Sequence, residues 1–216
     1  MNSILKHLVN IALIRAENNN SKLNDELLNV FGMSGKRTRH FYNNLLSFSP
    51  MNVLEIGAYS GISTSSLMYQ NEGKLVVIDN FSEFGNVKEE LLNNIEKYKG
   101  KVDITFYEED CFKIDLKKIA TKFEIYIYDA GHTVEDQYNA LVYYQDVLED
   151  IFIYIVDDWN HPPTNIGTYK AIIDLNLNIL YKKEIYTHHK HNREDNDIDG
   201  FWNGMGIFVL QKSKIN

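Results

Sequence analysis

A chain of 216 residues holds one α/β unit with a sizeable core and is too short for two large ones. Its 22 Lys and Arg against 30 Asp and Glu leave a net charge of −8, which argues against non-specific nucleic-acid binding. The single Cys111 cannot form an internal disulfide, no apolar run reaches membrane-spanning length, and the N-terminus lacks the pattern of a cleaved signal peptide. The expectation is a cytoplasmic protein with no membrane association.

Residues 1–50 read as an annex of two or three helices, broken at Asn18-Asn19-Asn20-Ser21 and at Phe31-Gly32-Met33-Ser34-Gly35. Ile4 to Ile14 is amphipathic, and Ser34 is placed to cap a third helix whose Phe41, Leu45, Leu46 and Phe48 recur at helical spacing. The basic cluster Lys36, Arg37, Arg39 and His40 reads first as a solvated face, and second as an anion or substrate contact.

From Met51 onward the pattern alternates. Strands are expected at 52–56, 74–79, 103–107, 123–129 and 151–157, and helices at 61–70, 86–98, 133–148 and 164–175, with a short helical piece near 115–120. Such alternation predicts a parallel sheet wrapped by helices. Two last strands, 177–186 and 205–212, have no helix between them and are expected to pair as an antiparallel edge hairpin. Residues 51–216 therefore read as one compact unit without internal repeats. Within it, Thr133 and Asp136 open a helix whose expected face is Tyr138, Leu141, Val142, Gln145 and Leu148.

The most informative stretch is Asn52–Gly61, NVLEIGAYSG: an apolar strand, a turn with Gly57 and Gly61, and a helix start. Eighteen residues beyond Gly61 a second apolar run ends in Asp79, where a βαβ nucleotide site places the acid that accepts from ribose hydroxyls. The turn lacks the G-x-G-x-x-G spacing that closes on a pyrophosphate, so a cofactor with adenosine but no diphosphate fits better. S-adenosylmethionine (SAM) is such a cofactor. With Glu55, Gly57, Gly61 and Asp79 in place, the sequence resembles the class I SAM-dependent methyltransferases, and VLEIGAYSGIST resembles the first motif of the catechol O-methyltransferase group. Any βα turn that needs small residues would give the same glycines.

The resemblance covers roughly residues 50–212. It implies a Rossmann-like α/β fold with a seven-stranded, mostly parallel sheet, an antiparallel edge hairpin and helices on both faces. It also implies a cofactor site. Glu55 would hold the methionine ammonium, the backbone of Gly57, Ala58, Tyr59 and Gly61 would approach the cofactor, and Asp79 with Asn80 would take the ribose. Asp110 with Cys111 would lie by the adenine amino group, although Glu108-Glu109-Asp110 reads equally well as an exposed acidic loop.

Four strands end in an acid or an acid-containing turn, at Glu55, Asp79, Asp129 and Asp157-Asp158. In an open parallel sheet these ends share one edge, and so many acids there repel unless something positive binds. Asp129, Asp157 and Asp158 form a hard oxygen set suited to Mg²⁺, or to Ca²⁺ or Mn²⁺. Such an ion would acidify an acceptor hydroxyl, with His132 to take its proton and Asp129 beside it. This resembles the metal-dependent O-methyltransferases of the catechol and macrolide-sugar type, with one departure: Asp129-Ala130-Gly131-His132 has Gly131 where many relatives carry a second acid. The plainer reading is that Asp157 and Asp158 cap the next helix and His132 orders its turn.

His188, His189 and His191 lie in a polar insertion expected to act as a substrate lid, and Trp159, Phe201 and Trp202 are candidates for an acceptor wall. The functional expectation is O-methylation of a small-molecule acceptor, a sugar or a phenol, with SAM and Mg²⁺. The alternatives are metal-independent N-methylation and a non-catalytic nucleoside-binding or assembly module. Acceptor identity and oligomeric state are not readable from the sequence.

Overall fold

The computed structural model describes residues 2–119, 121–187 and 197–213. Strands covered on both faces cannot alternate polar with apolar side chains, and the central runs here do not. Val53 and Leu54 in β1 (Met51–Ile56), Leu75 to Ile78 in β2 (Glu72–Ile78), and Ile125 to Tyr128 in β4 (Phe123–Tyr128) are all buried. With β3 (Lys101–Tyr107), β5 (Leu148–Asp157), β6 (Asn178–Ile185) and β7 (Met205–Gln211) they form a seven-stranded sheet in the order β3-β2-β1-β4-β5-β7-β6. The first five strands pair in parallel, whereas β7 runs antiparallel to both β5 and β6. Strand order reverses between β1 and β4, and a parallel sheet opens a ligand crevice at the carboxyl ends of such a pair.

Helices α1 (Asn2–Glu17), α3 (Lys36–Leu45), α4 (Ile62–Met68) and α5 (Lys88–Tyr98) cover one face. Val9, Phe41, Leu67 and Leu91 share a core there with Val53, Val77, Ile127 and Ile155. Helices α6 (Val134–Tyr144) and α7 (Pro162–Asp174) cover the other, where Leu141, Tyr144 and Ile172 pack with Leu54, Tyr126, Tyr154 and Phe208. The fold class, the mostly parallel seven-stranded sheet and the edge hairpin expected from the sequence are thus the ones found. No described helix is long and apolar enough to cross a membrane.

Several local expectations change. Ser34 does not cap α3: the N-cap is Gly35, without a side-chain bond, and the N–H groups of Lys36, Arg37 and Thr38 donate to the carbonyls of Ile198 and Gly200. Arg39 and His40 belong to neither a solvated face nor an anion site. Arg39 is buried and its guanidinium donates to the carbonyls of Leu27, Leu28, Val30 and Ser34, tying the short α2 (Asp25–Leu28) to α3. Burial lowers its pKa to about 10, and His40 pairs with Ser21 Oγ at 2.7 Å. Helix α6 ends at Tyr144, where a 3₁₀ turn at Gln145–Val147 leads straight into β5, and it buries Gln137, Ala140, Leu141 and Tyr144, a face rotated from the expected one.

Candidate active site

The crevice at the ends of β1 and β4 is a cavity of about 350 Å³, within the range of roughly 300–1,000 Å³ usual for small-molecule sites. Asp79, Asn80, Asp110, Cys111, Asp129, His132, Asp157 and Asp158 all reach its wall, as do Gly57 and Tyr59 from the turn after β1. A smaller cavity of about 40 Å³ lies against Gly57, Ala58, Asp129 and Asp157, closed by Ser34 and Tyr42 of the annex.

The turn after β1 is built by the fold as much as for a ligand. Gly57 has φ +83°, and a Cβ on it would lie 1.8 Å from the Asp129 carbonyl oxygen, so only glycine lets the ends of β1 and β4 meet. Gly61 starts α4 at φ +82° against Leu91, off the cavity wall. Asp79 Oδ2 accepts from the N–H groups of Ala58 and Tyr59, both at 2.8 Å, and Oδ1 from Phe81 N–H at 2.7 Å. The carboxylate therefore locks the β1 turn to the end of β2 and spends most of its roughly four lone-pair positions on backbone.

Glu55 is fully buried and does not line either cavity. Desolvation raises its pKa to about 7, against the hydrogen bonds of Ser63 and Thr64; Oε2 accepts from Thr64 at 2.7 Å, and Oε1 has no partner. Asp110 is held by Lys113 Nζ at 2.7 Å and by Phe112 N–H. Burial pushes the Cys111 thiol up to about 12, so it is no thiolate at neutral pH. Asn80 folds back on Ser82 N–H at 3.0 Å.

Across the cavity, the capping box of Thr133 and Asp136 fixes the start of α6 directly after His132. His132 Nε2 lies 2.9 Å from Asp158 Oδ2, although its N–H direction is not aligned on that oxygen. Burial lowers the His132 pKa, but the bond and charge of Asp158 outweigh it and the net direction is upward. Burial likewise raises Asp158, and His132 with Asn203 brings it below the usual carboxylate range. Asp158 takes this position with φ +53°.

Asp129 and Asp157 face one another. Desolvation first, then the charges of Asp157 and Asp158, raise Asp129 well above an ordinary carboxylic acid, and desolvation raises Asp157 to about 7. Each carboxyl of the pair opposes ionisation of the other. Asp157 Oδ1 and Ser34 Oγ are buried without partners. The three acids suit a hard cation chemically, but among the described residues no group of three or more His, Cys, Asp or Glu side chains is arranged to hold a metal ion. Asp158 is turned to His132 instead.

Of the three expected acceptor-wall aromatics, only Trp202 lines the cavity. Trp159 and Phe201 are core residues, Trp159 donating to Glu184 Oε1 at 3.3 Å. His188, His189 and His191 lie outside the described residues. Met33 and Tyr42 of the annex, and Glu83 and Phe84 after β2, also line the site and were not singled out in the sequence. Two phenylalanines and a glycine in Phe81–Gly85 were the available signal for that loop; nothing local marks Tyr42.

No protein-family model matches the sequence, and no curated protein matches it. Solved structures do match the fold. The O-methyltransferase TomG from Streptomyces achromogenes, solved with SAM, superposes with a TM-score of 0.59 at 15% identity, over 94% of this chain and 89% of that one. A ribosomal protein L11 methylase from Lactobacillus delbrueckii subsp. bulgaricus gives 0.53 at 14% identity over 82% and 78%. SMU.776, solved with S-adenosylhomocysteine (SAH), gives 0.58 at 12% identity over 84% of this chain, which spans only 50% of that protein. With its strand order, its reversed β7 and its cavity at the β1–β4 switch point, the chain has the Rossmann-like fold of the class I SAM-dependent methyltransferases.

Proposed function

We propose that the protein is a SAM-dependent methyltransferase acting on a hydroxyl of a small-molecule acceptor in the cytoplasm, with His132 as general base. The observation that carries this reading is that one cavity joins the β1 turn and Asp79 on one side to the His132–Asp158 pair on the other. SAM fits the residues present: the unpartnered Asp157 Oδ1, on the cavity wall, is an acceptor of the kind an ammonium satisfies. Phe81 and Phe112 offer apolar surface for a purine.

SAM supplies a methyl group on a sulfonium. The chain's own residues do the rest. Nε2 of His132 faces Asp158, which leaves Nδ1 to accept the proton from the acceptor oxygen, while Asp158 holds the ring and stabilises its cation. The alignment of acceptor and methyl group comes from the cavity wall. Calorimetry with SAM and detection of SAH as product test the reading. SAM binding together with a loss of about 10²–10⁴-fold in turnover for His132→Ala supports it, and absence of SAM binding removes it.

A second reading, transfer assisted by Mg²⁺ on Asp129, Asp157 and Asp158, is favoured by the raised proton affinity of the facing acids, a condition that a bound cation relieves. Turnover abolished by EDTA and restored by Mg²⁺ supports it; turnover indifferent to both removes it. N-methylation and nucleoside binding without turnover have no observation of their own.

A further inference from the structure

Seven carboxyl side chains line the main cavity, with His132 as the only basic residue among the described ones. Most are already engaged. Asp79 is bonded to backbone, Asp110 to Lys113, Asp136 to Thr133 and Asp158 to His132. That leaves Glu83 and the Asp129–Asp157 pair. Asp157 is 4% exposed, and its Oδ1 sits in the wall with no hydrogen-bond partner. Glu83 is exposed to solvent, makes no ion pair with Lys or Arg among the described residues and acts through space on His132. Among the described residues no group of three or more such acids is arranged to hold a metal ion, and an organic cation is another source of positive charge. SAM brings a sulfonium and an ammonium against one carboxylate, a single net positive charge.

The cavity is also lined by an aromatic ring. Trp202 holds φ +53°, an uncommon conformation for a bulky residue, and lines the cavity with Glu83. A carboxylate and an indole lining one small cavity is the combination that recognises an ammonium ion, by charge and by cation–π attraction. An anionic acceptor, in contrast, would find no Lys or Arg among the described lining residues and meet carboxylates.

We propose that the methyl acceptor is a hydroxylated amine, its ammonium bound by the Glu83 carboxylate and the Trp202 ring, and that the site turns away phosphorylated acceptors. This rests on the methyltransferase reading and names the substrate class of that site. Binding of D-glucosamine, N-acetyl-D-glucosamine and D-glucosamine 6-phosphate to the SAH-loaded protein, followed by saturation-transfer NMR, tests it. The amine is expected to bind about tenfold more tightly than its acetylated form, the scale of one such contact, and the phosphate to bind least. Glu83→Gln and Trp202→Ala each reduce that preference, Trp202→Phe retains most of it, and SAH affinity in the variants reports that the fold is intact. Equal binding of the three sugars, binding of none, preference for the phosphate, or a preference that survives both Glu83→Gln and Trp202→Ala overturns the proposal. SAH binding alongside any of these leaves the methyltransferase reading in place, whereas loss of SAM and SAH binding by the wild type removes that reading.

Discussion

At the scale of single residues, His132 links activity and stability with opposite signs. Its folded pKa stands above the ordinary 6.5, so its ion pair with Asp158 contributes stability fully below that value and loses it as pH rises through the folded pKa. A general base works in the neutral form, so kcat/KM rises over the same window. The pH–rate profile is expected to show an acid limb with an apparent pKa above 6.5, moved downward in Asp158→Asn. A limb unmoved by that substitution separates His132 from the proton transfer. Glu55 follows the same sign from a different cause. Its carboxyl is raised from 4.5 to about 7 by burial, so the folded state loses stability as pH climbs between those values. In the ligand-free protein Glu55→Gln should match the wild type at pH 4 and exceed it in urea unfolding at pH 8. The ceiling on the gain is about 3 kcal/mol, from a shift of that size. The same variant should bind SAM more weakly if the carboxylate holds the ammonium.

At the scale of elements, three junctions hold the site in shape. The first is the crossing of the β1 turn with the end of β4, where Gly57→Ala sets a methyl group against the Asp129 carbonyl in a backbone conformation that already favours glycine. The expected loss exceeds about 3 kcal/mol, read as a fall in the urea midpoint. The second is the start of α6. Thr133→Ala removes the side-chain acceptor of Asp136 N–H and should cost about 1 kcal/mol. His132 immediately precedes this cap, so turnover should fall by more than the stability change alone predicts. Unchanged turnover would show that the histidine is placed by Asp158 rather than by the helix start. A third junction joins the 198–200 turn to α3, whose first N–H groups it caps, and so ties the loop carrying Trp202 to the annex.

At the scale of the whole molecule, residues 1–50 are part of the core rather than a separable cover. Leu8, Val9, Leu13, Phe41 and Leu45 pack in one cluster with Val53, Val77, Ile125 and Ile155 of the sheet. A chain cut to residues 51–216 would present that sheet face to water, and it is expected to be unfolded or aggregated by circular dichroism and light scattering. SAM binding to the full chain should raise its stability by about 2.7 kcal/mol at one hundred times the Kd. The mostly parallel sheet, the edge hairpin and the gathering of Asp79, Asp129, Asp157 and Asp158 at one crevice were legible in the sequence. Apolar runs of strand length alternating with helical spacing leave few ways to bury both sheet faces, and the ends of parallel strands must share an edge. What each acid does there was not legible. Asp79 anchors backbone, Asp158 turns to His132, and Asp129 and Asp157 oppose each other, because partners for a carboxylate are set by distances of a few ångströms between segments far apart in the chain. The sequence by itself determined the periodicity and the turn chemistry, which are local. Only the tertiary structure decided that Arg39 is buried, that Trp202 rather than Trp159 faces the cavity, and that Tyr42 closes it, since these follow from the packing of elements that no local spacing records.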